Sequence, residues 1–129
     1  MEIEKLSVQL KGFSGQVLDK IPDRSKPLNI NVSHKARVEK VEGTKTYLYH
    51  LSTDVVPEPR ALFTCQVNQV IQVDFVQDLA IQEAKNLSYD LCSQAANLLS
   101  FLIGTMTKEL IDTPIIIPPS LNLEAFEII

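Results

Sequence analysis

The sequence predicts an α+β domain, four strands of which the last three form an antiparallel meander, followed by one long C-terminal helix able to cover a four-stranded sheet. Apolar and polar residues alternate strictly in stretches between Ile3 and Val76, as half-buried strands require. From Leu91 to Thr107 the apolar residues recur instead at steps of three and four, and no charged side chain interrupts them. The 129 residues, 45% of them hydrophobic, suffice for one real core, so 1–129 reads as a single domain.

The first strand runs from Ile3 to Lys11, with Leu6, Val8 and Leu10 on one face and Lys5, Ser7, Gln9 and Lys11 on the other. Gly12 and Gly15 allow bends, and Val17 and Leu18 can extend it. Asp19 to Pro27, with two prolines and mixed charges, is a long connection and not a hairpin.

Leu28, Ile30, Val32, His34, Ala36 and Val38 then alternate with polar neighbours. Glu42-Gly43 marks a two-residue turn that sets Val41 opposite Thr44 and brings that row onto the face of Tyr47, Tyr49, Leu51, Thr53 and Val55. A three-residue loop around Pro57-Glu58-Pro59 sets Val56 opposite Arg60. Ala61, Phe63, Cys65, Val67, Ile71, Val73 and Phe75 continue the buried row, with Gln69 its one polar member, so strands two to four form a meander.

Leu79, Ile81 and Ala84, interleaved with Asp78, Gln82, Glu83 and Lys85, suit a short amphipathic turn or helix before the main one. The main helix is expected from Ser88 to about Ile111, with Ser88 as N-cap, Asp90 at the positive end of its dipole, Lys108 at the other end, and Pro114 beyond its end. Cys92, Ala96, Leu99, Ile103, Met106 and Leu110 form its apolar stripe. Its other side, Ser93, Gln94, Asn97, Ser100, Phe101, Gly104 and Thr107, is small and uncharged where a solvated face would carry Lys and Glu. A homo-oligomer, at least a dimer, is therefore expected, with helix contact near Asn97, Ser100, Phe101 and Gly104; the competing arrangement folds the tail Ile115–Phe126 back over the same side. Six hydroxyl or amide side chains without a flanking Lys/Arg cluster argue against a membrane span. Pro114, Pro118 and Pro119 hold the following segment extended.

A net charge of −4 without any Lys/Arg run removes the usual basis for nucleic-acid or anionic-membrane binding. The start lacks a basic, apolar leader, so a cytoplasmic location is expected. Cys65 and Cys92, lying in periodic apolar rows, read as buried free thiols. The proposed registers place His34 and Cys65 two strands apart, roughly 10 Å, too far for a nucleophile and its base. His34 reads as a packed core histidine, and no phosphate loop, nucleophile elbow or metal-ligand spacing occurs. These residues point to no enzyme, no metal and no cofactor.

Order and residues together resemble the SecB export-chaperone family. Ala61-Leu62-Phe63-Thr64-Cys65-Gln66-Val67 is similar to that family's fourth strand, and Pro114 with Asn122-Leu123-Glu124-Ala125-Phe126 to its proline and Asn-Phe-Asp-Ala-Leu motif. Leu123 and Glu124 depart from the motif's Phe and Asp, and Ser120 stands where a proline is expected. The family continues into a second helix and a metal-binding tail that engages the SecA translocase; no Cys or His follows Cys92 here, so the likeness is to a short SecB-like protein. The resemblance implies a two-layer fold, its four-stranded antiparallel sheet a Greek key of order 1-4-3-2 covered by the long C-terminal helix, together with oligomerisation and binding of non-native polypeptide in apolar grooves. The expected client-binding residues are Ile21, Phe75, Leu79, Ile81, Leu87, Ile115, Ile117, Leu121 and Phe126. The function this implies is that of a cofactor-independent holdase, and the alternative is a dedicated protein that binds one specific partner.

Overall fold

A computed structural model describes residues 2–19, 29–58 and 62–129. Strand β1 spans Ile3–Val17, β2 Asn29–Lys40, β3 Thr46–Glu58 and β4 Phe63–Phe75; helices α1 Ile81–Asn86, α2 Ser88–Cys92 and α3 Ala96–Ile111 follow, then a short strand β5, Phe126–Ile128. The sheet order is β1-β4-β3-β2-β5, so the expected 1-4-3-2 Greek key is present. A fifth strand is added at the β2 edge, parallel to β2, while the other pairs are antiparallel.

Both turn lengths differ from expectation, and both leave the faces unchanged. The β2–β3 loop is Glu42–Lys45 with Gly43 at φ +79°, closed by Val41 N–H donating to Thr46 O at 2.9 Å, so it is four residues long and not two. Val55 pairs with Cys65, where Val56 opposite Arg60 was expected. Each correction shifts the pairing by an even number of residues, and side chains alternate with period two, so the apolar rows still meet. Tyr47, Tyr49, Leu51, Val55, Phe63, Val67, Ile71 and Val73 all lie buried on that face. Its counterpart on β1 needs a correction of phase. The ladder steps from Leu10↔Gln69 to Gly12↔Asn68, leaving Lys11 as an extra residue, and this bulge turns Phe13 inward against the core.

The helical layer is not the single helix expected from Ser88. Leu87 occupies the N-cap of α2 without a side-chain bond, Ser88 is buried, and a 3-10 turn at Ser93–Ala95 separates α2 from α3. Ser93 Oγ donates to Tyr89 O at 2.7 Å, a back-bond that bends helices and accompanies the tightened turn. The α1 segment is fixed to the sheet by two buried phenols: Tyr47 donates to Leu79 O, and Tyr49 to Ala84 O at 2.7 Å.

The chain after α3 folds back on the helix. Asp112, in the left-handed conformation, ends α3, and Thr107 Oγ1 then accepts the Ile115 N–H at 2.7 Å while Ser100 Oγ donates to Ile117 O at 2.8 Å. A Cβ on Gly104 would sit 3.6 Å from Ile116 Cδ1 and 3.8 Å from Ile115 O. The Ser100–Gly104–Thr107 stripe is thus covered by the chain's own tail, which corrects the expectation that Ser100 and Gly104 face another subunit. Asn97 and Phe101 stay exposed, Phe101 at 67%.

His34 anchors the far end of this tail. Only 2% exposed, it accepts the Asn122 N–H at Nε2 (3.2 Å), which places its proton on Nδ1, 2.9 Å from Thr53 Oγ1. It is the satisfied core histidine expected. Gln69 is different: 1% exposed, in the inward row, with neither amide atom hydrogen-bonded among the described residues.

Two outcomes follow for stability. Burial lowers the His34 pKa below its ordinary value. As pH falls through about 6.5 the unfolded chain takes up a proton that the folded chain refuses, so stability decreases until the lowered folded pKa is reached. Urea midpoints from above pH 7 to about pH 5 should therefore fall in the parent and flatten in His34→Gln; equal slopes would reject this role. Gln69→Met, removing an unpaired buried amide at similar volume, should raise stability by about 1–2 kcal/mol in urea titration. A loss instead would show that the amide is satisfied.

Candidate functional site

An apolar groove lies where the tail crosses the inner face of β2 near its N-terminal end. The alternation that buries His34 and Ala36 also turns Ile30 and Val32 to this face, opposite Pro57 and Val55 of β3. From the other side come Ile117, Pro118, Leu121 and Leu123, and together they enclose about 540 Å³. Asn122 sets the width, because its backbone N–H bonds His34 and its Nδ2 donates to Val32 O at 3.3 Å. Ser120 and Glu124 complete the lining, and Glu124 is its single charge. Beside the groove, among the described residues, β5 pairs with the β2 edge only at His34–Ala36, and Asn122 Nδ2 holds Val32 O.

The sequence-predicted residues divide among three places. Ile117 and Leu121 line the groove and are buried, whereas Phe126 lies outside the lining, half-buried, with its ring 6.3 Å from His34 and edge-on to Tyr89 at 5.4 Å. Ile115 is half-buried beside α3, where its N–H bonds Thr107. Phe75 and Leu79 are core residues, with Phe75 packed edge-on against Tyr47, so neither offers surface in this conformation. Ile81 is exposed and Leu87 half-buried on the helical segment, away from the groove lining. Ile21 lies outside the described residues. Sequence reasoning missed Ile30, Val32, Pro118 and Leu123. The first two look like ordinary sheet residues until the order of strands makes β2 nearly an edge; Leu123, 63% exposed, carried a signal as an apolar residue inside a polar stretch.

The site's chemistry is that of surface burial. Burial pushes the Cys65 thiol up to about 11 and Cys92 up to about 12, so neither provides a thiolate near neutral pH. Among the described residues no group of three or more His, Cys, Asp or Glu side chains could hold a metal ion. Among the same residues, no helix is long and apolar enough to cross a membrane. What the groove offers is apolar surface beside the main chain of β2.

No family model matches the chain, and no curated protein sequence matches it. Among solved structures, it is similar to the Mycobacterium tuberculosis SecB-like chaperone Rv1957, determined in complex with a ChAD peptide from the Rv1956 HigA1 antitoxin. The TM-score is 0.74 over 91% of this chain and 88% of that one, at 11% sequence identity. With the sheet order and C-terminal helix described above, this likeness shows that the chain has the SecB-like fold.

Proposed function

We propose that this protein is a cofactor-independent SecB-like chaperone, working in the cytoplasm, that holds extended apolar segments of other polypeptides. One observation carries the reading: an apolar groove of about 540 Å³ runs beside an incompletely paired strand edge. Apolar side chains of a client enter between Ile30, Val32, Leu121 and Leu123, and the Asn29–Ser33 stretch, apart from the Val32 carbonyl that Asn122 holds, offers main-chain partners. Burying apolar area at about 25 cal/mol per Å² supplies affinity without sequence readout, which suits a holdase and needs no nucleotide. A second reading, service to one dedicated partner, is favoured by the solved neighbour, which holds a peptide from a single antitoxin.

Assembly belongs to the same proposal. Tail cover leaves Asn97, Leu98, Phe101 and Thr105 exposed along α3, and burying Phe101 across a twofold interface contributes roughly 1.5–3 kcal/mol per copy. The proposed interface is therefore centred on Phe101 and not on Gly104.

Two experiments test these statements. The protein should slow aggregation of a chemically unfolded model substrate without ATP, and Leu123→Asp, at an exposed groove position, should weaken the effect while leaving the circular dichroism spectrum unchanged. Absence of suppression at several-fold molar excess would reject the general holdase, leaving capture of a single stoichiometric partner as the measure of the second reading. Light scattering at tens of micromolar should give at least a dimer, shifted toward monomer in Phe101→Asp; a monomeric parent would reject assembly.

A further inference from the structure

The sheet's other face is polar, and its cations come together only through the fold. Lys11 on β1 and Lys35 and Arg37 on β2 line one shallow cavity of about 380 Å³, with His50 of β3, Val70 of β4 and Ile129 beyond β5. None of Lys11, Lys35 and Arg37 forms a salt bridge among the described residues, and all three are exposed. Acidic groups flank them: Glu39 is held by His50 at 3.0 Å, Asp54 by the Gln66 amide at 3.0 Å, and Glu127 stands in register with Lys35 on β5 without an ion pair.

We propose that this face is a docking site for an acidic, strand-like segment of a partner protein. Charge and spacing both support that occupant. Lys35 and Arg37 are two residues apart on one strand face, about 6.6 Å, the spacing at which an extended peptide presents alternate side chains. Carboxylates at every second position can meet both cations, with Arg37 offering a planar fork to one of them. The methylenes of those same carboxylate side chains lie against Val70, Ile129 and the aliphatic stems of the lysines, while the intervening side chains face away from the sheet. Phosphate and nucleic acid fit less well, because the sheet ladder consumes the backbone amides that cradle phosphate and no Phe, Tyr or Trp ring lines the cavity for base stacking. In a chain of net charge −4, a local cationic patch also fixes where and in which orientation an acidic partner lands.

The test uses fluorescence anisotropy of a labelled peptide of alternating glutamate and valine at low ionic strength. Binding is expected, weakened by added salt, and reduced at least about tenfold in K35E/R37E, the loss of one charge-assisted hydrogen bond or more. Lys108→Glu, on α3 at the opposite layer, should bind as the parent does. No binding of the peptide, equal binding by K35E/R37E while its circular dichroism is unchanged, or displacement by inorganic phosphate or a short single-stranded oligonucleotide at lower concentration than by unlabelled peptide would each overturn the proposal. A peptide with lysine in place of glutamate should not bind, and its binding would overturn it equally.

Discussion

An apolar sheet face four strands wide is more surface than one interrupted helix can cover, and the remaining chain is arranged around that shortage. Helix α3 lies over the face with Leu99 and Ile103 directed into the core. The rest of the cover comes from α1, fastened through Tyr47 and Tyr49, and from the tail, whose Ile117 and Leu121 join the same buried cluster. A tail rich in proline has few amides to satisfy itself, so its polar groups find partners on the helix and the sheet: Ser100, Thr107, Tyr89 and His34 each bond its backbone. The small, hydroxyl-bearing side of α3 is the imprint of this cover.

The meander was legible because alternation constrains faces far more tightly than it constrains registers. Both loop lengths were misjudged, yet each error was even, and an even shift cannot move a side chain to the other face. The break at Ser93–Ala95 was not legible, since Ser93 reads as an ordinary helix residue until its hydroxyl turns back to Tyr89 O. The tail was half legible. Its extended course follows from the prolines, and Asn122 and Phe126 carried the family resemblance, but nothing local shows that Asn122 will bond a histidine 88 positions earlier. That contact also explains why the motif matters physically: Asn122 and Phe126 are where the tail is secured to β2.

The groove shows the same division. Ile117 and Leu121 could be named from an apolar tail that exceeded the needs of a helix end, whereas Ile30 and Val32 became site residues only once β5 was seen to cover β2 over three positions. Phe75 and Leu79, chosen as apolar residues near the end of the sheet, are consumed by the Tyr47 contact. On the opposite face the failure was of another kind. Lys11 stands far from Lys35 in sequence and Lys35 two positions from Arg37, so no run of like charge marks a patch assembled across the four strands β1, β4, β3 and β2.

The two faces of β2 thus present different chemistry from alternate residues of one strand. Ile30 and Val32 open to an apolar groove, and Lys35 and Arg37 to a cationic face, with the edge between them only partly occupied. An apolar site alone ranks extended segments by buried area and discriminates weakly, because a methylene more or less changes binding by only about 0.8 kcal/mol. A charged site alone is screened within roughly 8–10 Å at ordinary ionic strength. On the function and docking face proposed above, the two sites, joined through one strand, convert separate weak contacts into one event for a partner whose apolar stretch and acidic stretch reach both faces, so that selectivity comes from the spacing between them and not from either site by itself.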